Sequence, residues 1–207
     1  MPTFSRISPA TASALLFVAF ATAAAALGAP DISPKHVRGT IASVSASSIT
    51  VTTDGGPVVV ALSKSSGVLG VVRGNAADIK TGTFVGIANV SGHGAMRALE
   101  VVVFPDAMRG AGEGNYPWDL PAGGGHSSMM TNGTVASGAA GQPLTLPYKG
   151  GSQRIAIPPD VPIVRIAPGT RALLVPGAHV VVFTISGPGP LNAARIVAGV
   201  HGVVPPM

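Results

Sequence analysis

The chain has no cysteine and is poor in charged and aromatic residues, which make up 10% and 4% of its 207 residues. The absence of cysteine excludes disulfides, cysteine nucleophiles and thiolate metal sites, so packed apolar strands must supply the stability. Intrinsic disorder usually accompanies high net charge and few branched aliphatic residues. Valine and isoleucine recur here in short runs, which predicts an ordered, β-rich protein.

Charge of either sign is also sparse, with 13 Lys and Arg against 8 Asp and Glu. The cations are scattered along the chain and form no dense basic block. Non-specific binding to nucleic acid requires many phosphate contacts. We therefore expect no nucleic-acid partner.

A long apolar run occurs only at the N-terminus, in residues 1–28. This segment has one cation, Arg6, then an apolar core that ends in small residues, an order typical of a cleaved secretory signal peptide. Its core is shorter than the roughly 20 residues that span a bilayer comfortably. We expect cleavage near Ala26 or Gly28, a periplasmic or secreted location and no integral membrane segment in the mature chain. A retained anchor helix is the alternative.

Glycine, by contrast, is abundant at 28 residues, and its positions follow a pattern that occurs twice. The offset between the two copies is 94 residues at the start and a constant 95 from the Gly-Gly turn onward. This constant register indicates an internal duplication; chance similarity in a chain rich in Gly and Val is the alternative. Matched features are GTIAS and GTVAS (39–43 and 133–137), paired glycines (55–56 and 150–151) and single glycines (82 and 177).

Each copy has the pattern of five short strands separated by turns. Three strands come first, with Gly-Gly in the second turn; a longer connection and a closing hairpin follow. A long connection between the third and fourth strands is typical of an OB-like barrel, and closure removes exposed edges. We expect an all-β fold of two tandem duplicated small OB-like β-barrels, at residues 35–107 and 132–203, joined by a Gly/Pro-rich linker at residues 108–131. Two open sheets packed as one sandwich is the alternative.

The first copy also contains DIKTG at residues 78–82, at the end of the long connection. With its Gly-led strand pair, Gly-rich turn and closing hairpin, this copy resembles the bacterial exported repeats of domain-of-unknown-function family 5666. The second copy departs from the motif and has LLVPG at residues 173–177. The resemblance implies an envelope β-barrel module and supplies no established activity.

The predicted linker holds the only Trp of the chain and one of its two Tyr. Trp118 offers a large apolar face and one N–H donor, and Asp119 can accept a hydrogen bond. Tyr116, Trp118 and Asp119 are therefore the candidate binding residues, as an aromatic platform for a sugar ring, a Pro-rich peptide or a cation. The alternative is a linker that folds back and fills the seam between two barrels.

Metal binding and catalysis have weaker support. His126, Met129 and Met130 have side chains that suit copper, but adjacent Met residues in an extended segment do not easily point at one ion. Glu113 and Asp119 are the best carboxylate pair for glycoside hydrolysis, and their spacing does not favour it. We predict no metal, no cofactor and no catalytic residue.

These observations predict a non-catalytic exported binding or adaptor protein of the bacterial cell envelope that acts through a protein or glycan partner. The alternative is a periplasmic, copper-type metal-binding accessory protein. No feature of the sequence predicts a particular oligomeric state.

Overall fold

Strands make up most of the chain that this computed structural model describes, which is residues 36–121, 127–138, 142–185 and 189–206. The all-β class is confirmed. The strands in these ranges are β1 (His36–Val44), β2 (Ser48–Thr53), β3 (Gly56–Ala61), β4 (Gly67–Arg73), β5 (Phe84–Val90), β6 (Met96–Val103), β7 (Gly114–Trp118), β8 (Ser128–Thr134), β9 (Leu144–Tyr148), β10 (Gly151–Ala156), β11 (Ile163–Pro168), β12 (His179–Ile185) and β13 (Leu191–Gly199).

The helical content of the described residues is limited to single 3-10 turns, at Ala76–Asp78, Asp106–Met108 and Arg171–Leu173. In these same ranges, no helix has the length and apolar character needed to span a membrane. The predicted signal peptide, residues 1–28, lies outside the described residues.

The β2–β3 hairpin shows how the sequence pattern produces the strands. Ile49 and Val51 alternate with Ser and Thr along β2, and both are fully buried. This period of two places the apolar side chains on one face of the sheet. Gly56 closes the turn with a φ of 105°, a backbone conformation that favours glycine because it has no Cβ.

Five strands close into a barrel. β1, β2 and β3 form an antiparallel meander, and the β12–β13 hairpin joins its two ends because β12 pairs with β1 and β13 pairs with β3. The strands enclose an apolar core, and Thr184 of β12 is the one polar residue buried in the described strands of this barrel. The buried residues of the core are Val37, Ile41, Ile49, Val51, Val60, Leu62, Leu174, Val180, Val182, Ala193, Ile196 and Ala198.

A second group of strands follows the order β8, β5, β6, β10, β9. Among the described residues, its ends meet at a single bridge, between Ser137 and Thr145. It encloses an apolar core of its own. The buried residues of this core are Ile79, Val85, Ile87, Ala98, Val101, Val103, Val135, Leu144, Leu146 and Ile155.

Each group takes its closing hairpin from the other half of the chain, which differs from the expectation that each half closes on itself. The β12–β13 hairpin completes the barrel of β1–β3, and the β5–β6 hairpin joins β8–β10. The cause lies in the long connections, in which we expected no strand. They form β4 and β11, which pair antiparallel with each other and lead each half of the chain across to the opposite group.

The seam between the two groups has a third apolar core, which we call the seam core. Val71 of β4 pairs with Ile166 of β11 at its centre, and these two residues are 95 positions apart in the sequence. The pairing of the two groups follows the repeat: Thr40 pairs with His179, and Thr134 with Phe84, where the offset is 94 residues between the two Thr and 95 between Phe84 and His179. Buried members of the seam core are Val71, Val102, Val164, Ile166, Val181 and Val197. A common origin of the halves stays a prediction.

Candidate functional site

The aromatic segment predicted as a linker contains an extra strand. β7 pairs antiparallel with β8 and is the last strand at that end of the sheet. Tyr116 and Trp118 are alternate residues of β7 and therefore lie on one face of it. Ser128 holds the end of the strand, since its hydroxyl donates to the carbonyl oxygens of Trp118, at 3.0 Å, and Leu120, at 2.7 Å. Much of residues 108–131 is thus a β-arm packed on the second group.

Trp118 packs against both strand groups. Its ring centroid lies 4.6 Å from that of His36 and 6.5 Å from that of Phe183, both of which belong to the closed barrel. The Tyr116 ring lies 6.3 Å away in an edge-on arrangement, and the Arg38 guanidinium carbon lies 6.0 Å from the centroid of the indole. The indole also packs against the seam core. Its geometry is that of a side chain filling the seam.

Asp119 ties the end of this arm to β1. Arg38 donates to both carboxylate oxygens, at 2.6 and 3.1 Å, and His36 Nδ1 lies 2.9 Å from Oδ2. We call these three residues the latch. Partial burial raises the pKa of Asp119, but the hydrogen bonds from Arg38 and His36 outweigh this effect and the net pKa is lowered. The latch therefore favours an ionised Asp119 at neutral pH.

Glu100 of β6 is a buried acid, with only 2% of its surface exposed. Its Oε1 atom has no hydrogen-bond partner in the described part of the chain. Burial raises the pKa of Glu100 to about 8; Arg38 acts in the opposite direction and Asp119 adds a smaller increase. At neutral pH the side chain is therefore a protonated carboxylic acid, next to a latch whose acid is ionised.

A cavity of about 150 Å³ lies in the seam beneath the arm. Its wall is mostly apolar and aromatic, and it includes two of the three candidate residues, Tyr116 and Trp118. Asp119 is not part of the wall. The lining residues are Leu69, Gly86, Val102, Phe104, Met108, Ala111, Gly112, Tyr116, Trp118, Met130, Asn132, Ile166, Phe183, Arg195 and Val197.

Two buried polar atoms of the lining residues have no hydrogen-bond partner among the described residues. These are Asn132 Oδ1 and Trp118 Nε1. The Asn132 amide nitrogen is satisfied, since it donates to the Ala111 carbonyl oxygen and to the Tyr116 hydroxyl, both at 3.2 Å. Burial raises the pKa of Tyr116, so this hydroxyl stays neutral. The residues that line the cavity thus include one unpaired acceptor and one unpaired donor atom.

The Asn132 amide fits beside β5 because Gly86 has no side chain. A Cβ at position 86 would lie 2.6 Å from Asn132 Oδ1 and 3.0 Å from Phe104 Cε2. Real Cβ atoms essentially never approach another atom as closely as 2.6 Å. The absence of a side chain at Gly86 therefore sets both the position of the amide and the shape of the cavity wall.

The candidate copper ligands do not form a described site. Met129 and Met130 are neighbours on β8, so their side chains point to opposite faces of the sheet, and Met130 lines the cavity. His126 lies outside the described residues. The part of the chain that the structure describes contains no group of three or more His, Asp or Glu side chains that could hold a metal ion. The hypothesis of a copper accessory protein stays untested.

Sequence reasoning found the aromatic residues of the site and missed their partners. Asn132, Phe183 and Arg195 line the cavity from distant parts of the chain, and His36 and Arg38 hold Asp119. No local signal marks them, because an Asn or a Phe in a strand is ordinary. An acid in the apolar run ALEVVVF was the one available signal for Glu100.

Comparisons with protein-family models, with curated proteins and with solved structures find no match to this chain. The resemblance to the bacterial exported repeats therefore stays a prediction. Any functional conclusion must come from the geometry of the site.

Proposed function

We propose that this protein is a non-catalytic, exported binding protein of the bacterial envelope, and that it holds a small, mainly apolar ligand in the seam cavity. The observation that carries the proposal is the cavity itself, with its aromatic wall and two unpaired buried polar atoms. A packed seam has no structural need for either feature. The proposal includes an adaptor role, in which the protein acts through a protein or glycan partner.

The size of the cavity limits the ligand to about one ring. An apolar cavity of about 150 Å³ in a protein core takes up benzene, and this cavity has the same volume. Ligand pockets are typically apolar with a few polar groups that fix orientation. We therefore expect a monocyclic ligand whose ring packs against Phe104, Trp118 and Phe183.

The unpaired atoms give this ligand its polarity. Asn132 Oδ1 can accept a hydrogen bond, so a ligand hydroxyl or N–H fits it; Trp118 Nε1 can donate to a ligand oxygen. A hydroxyl group does both, because it is donor and acceptor. An unsatisfied buried polar group costs about 1–3 kcal/mol, and a ligand that satisfies one recovers part of that energy.

The first test compares phenol with toluene, two probes of nearly equal size. Trp118 is the only Trp of the chain, so its fluorescence reports directly on the cavity. We expect phenol to bind about tenfold more tightly than toluene, the difference of one hydrogen bond. Equal binding would refute the role of the polar atoms, and no response to either probe would refute the cavity as a site.

A matched pair of glycine variants localises the binding. Gly86→Ala places a methyl group against Asn132 and Phe104 and is expected to abolish phenol binding. Gly67→Ala is the control, because a Cβ there meets nothing within 4 Å. Circular dichroism of both variants checks that the strands are retained. Unchanged binding in a folded Gly86→Ala protein would place the ligand elsewhere.

The proposed export is tested on the full chain expressed in a Gram-negative host. We expect native mass spectrometry of periplasmic protein to give a mass that begins after Ala26 or Gly28. A mass that includes residues 1–28 would contradict cleavage. An added mass that disappears on chelation would instead favour the copper-type alternative.

We also propose that the fold arose by duplication of an OB-like five-strand unit whose closing hairpins then exchanged partners. The constant offset of 95 residues and the corresponding strand pairings support this origin. A symmetrised chain, in which the second half is replaced by another copy of the first, is expected to fold with the same hydrogen-exchange pattern in both halves. Failure of that chain to fold cooperatively would argue against it.

A further inference from the structure

A second concave surface, which shares only Phe104 and Ile166 with the wall of the seam cavity, lies beside the 3-10 turn Ala76–Asp78. This cleft has a volume of about 700 Å³. It is formed by the DIKTG motif at residues 78–82, by the segment that follows β6 and by the end of β11. Unlike the seam cavity, it is lined by several charged side chains: Asp78, Lys80, Asp106, Arg109 and Arg165.

Arg109, one of the three cationic side chains of the cleft, forms hydrogen bonds within the protein. Arg109 donates to the carbonyl oxygen of Gly82 at 3.0 Å and to Asp106 Oδ1 at 2.7 Å. It also reaches the Thr134 hydroxyl at 3.3 Å. Arg109 and Asp106 therefore neutralise each other and hold the motif against the second group.

The other two cations keep unused donors. Arg165 approaches an acid only through Nε, at 3.8 Å from Asp78 Oδ2, and its side chain is 52% exposed. Asp78 Oδ2 already accepts from the backbone N–H of Asn75 at 2.8 Å, as part of a helix cap. Lys80 is exposed and forms no ion pair within the described ranges. The cleft thus has more positive charge than its acids balance.

The corresponding surface of the other half shows that the fold does not require these charges. At an offset of 95 residues, Lys80 corresponds to Val175 and Arg165 to Gly70. The backbone of the two surfaces is similar, because Arg171–Leu173 forms a 3-10 turn at the position that corresponds to Ala76–Asp78. Charges that one copy carries and the other omits are free to serve a ligand.

The remaining surface of the cleft suits a sugar. Thr81 and Thr83 line the cleft with hydroxyl groups, of which that of Thr83 donates to the Asp78 carbonyl oxygen at 3.4 Å, and Phe104, Pro105 and Pro168 form its apolar wall. An arginine fork binds a carboxylate with two parallel hydrogen bonds. We propose that the cleft binds a carboxylate-bearing glycan of the uronate class, with Arg165 and Lys80 on the carboxylates and the apolar wall against a ring. This goes beyond the seam cavity and does not depend on it.

The experiment uses the mature full chain and a four-residue oligogalacturonate, with its methyl ester and inorganic phosphate as comparison probes, in isothermal titration calorimetry. Methyl esterification removes the charge and keeps the sugar. We expect the acidic oligomer to bind, the ester to bind at least about tenfold more weakly and phosphate not to compete. Equal binding of the ester, or competition by phosphate at equal concentration, would overturn the uronate assignment.

Variants of matched charge separate the cleft from net charge. Lys80→Gln and Arg165→Gln are each expected to lower the affinity for the acidic oligomer about fivefold to tenfold. The double variant is expected to abolish binding. Lys64→Gln removes the same charge from an exposed turn outside the cleft and is expected to change the affinity less than about twofold. If the control weakens binding as much as the cleft variants do, the proposal is wrong. Phenol binding to the seam cavity is expected to stay unchanged in all of them, so failure of one site does not imply failure of the other.

Discussion

The two strand groups share a pairing scheme and differ in what they bury. The described strands of the closed barrel bury one polar side chain, Thr184 of β12. The second group buries more polar side chains, among them Asn89, Glu100, Thr131 and Asn132. At an offset of 95 residues, the buried Glu100 corresponds to Arg195, which is exposed. The comparison teaches that one pairing scheme accommodates different numbers of buried polar side chains.

The largest expected effect comes from breaking the exchange of hairpins. Ile196 belongs to the second half of the chain but is buried in the barrel of β1–β3. Ile196→Ala is expected to cost about 3 kcal/mol of unfolding free energy and to lower hydrogen-exchange protection first in β1–β3. Val101→Ala, at the corresponding position of the second group, is expected to weaken β8–β10 instead. Reversed protection patterns would contradict the exchanged pairing.

The next effect concerns the buried acid and its pH dependence. The pKa of Glu100 is raised from 4.5 to about 8, so the folded state holds a proton that the unfolded state releases between these values. Its contribution is fully present below pH 4.5 and is lost as pH rises to about 8, at up to about 1.4 kcal/mol per pH unit.

Glu100→Gln removes this titration. The variant is expected to be more stable than the parent by on the order of 2 kcal/mol at pH 6, with a larger difference at pH 8, and similar to it near pH 4. Urea unfolding at a series of pH values measures the difference. Arg195→Gln, the counterpart in the other copy, is expected to leave the pH profile unchanged. A parallel profile for Glu100→Gln and the parent would show that Glu100 is ionised in the folded protein.

The smallest expected effect comes from the latch, which joins the arm of the second group to the closed barrel. Asp119→Asn is expected to lower stability at pH 7 by about 1 kcal/mol, because the arginine fork loses an ionised partner. The pKa of Asp119 is lowered on folding, so the contribution is present above its unfolded value and is lost as pH falls through the folded value. Thermal unfolding at pH 7 and at acid pH measures both.

Asp106→Asn provides the control for the latch, because its pair with Arg109 is largely exposed, with Asp106 at 93%. We expect a loss of less than about 0.5 kcal/mol for this variant. A smaller effect of Asp119→Asn than of Asp106→Asn would mean that the latch does not hold the arm.

The sequence predicted local features such as strands and turns, but it did not predict which strands pair with each other. It predicted the strands of the first meander because Ile49 and Val51 alternate with polar residues. It treated residues 63–81 as a connection, although Gly67–Arg73 forms a strand. The run GVLGVVR is short and contains two glycines, and its backbone becomes a strand only because β11 and β13 are there to pair with it.

The candidate site divides in the same way. The composition of the segment picked out Tyr116 and Trp118, which do line the seam cavity. The composition did not distinguish Asp119 from these two residues, although Asp119 does not line the cavity. Its carboxylate is held by Arg38 and His36 instead. Which polar group faces a cavity and which is used in a latch depends on residues about 80 positions away in the chain.

The sequence by itself determined the all-β class, the turns at glycine and the alternation of buried and exposed side chains, because these depend on neighbours a few residues apart. The tertiary structure alone decided which hairpin closes which group, and it alone decided the protonation of Glu100. Strand partners form contacts between distant residues, and a pKa depends on the burial that those contacts create. The same amino acids in the self-closed arrangement would have neither this seam nor its cavity.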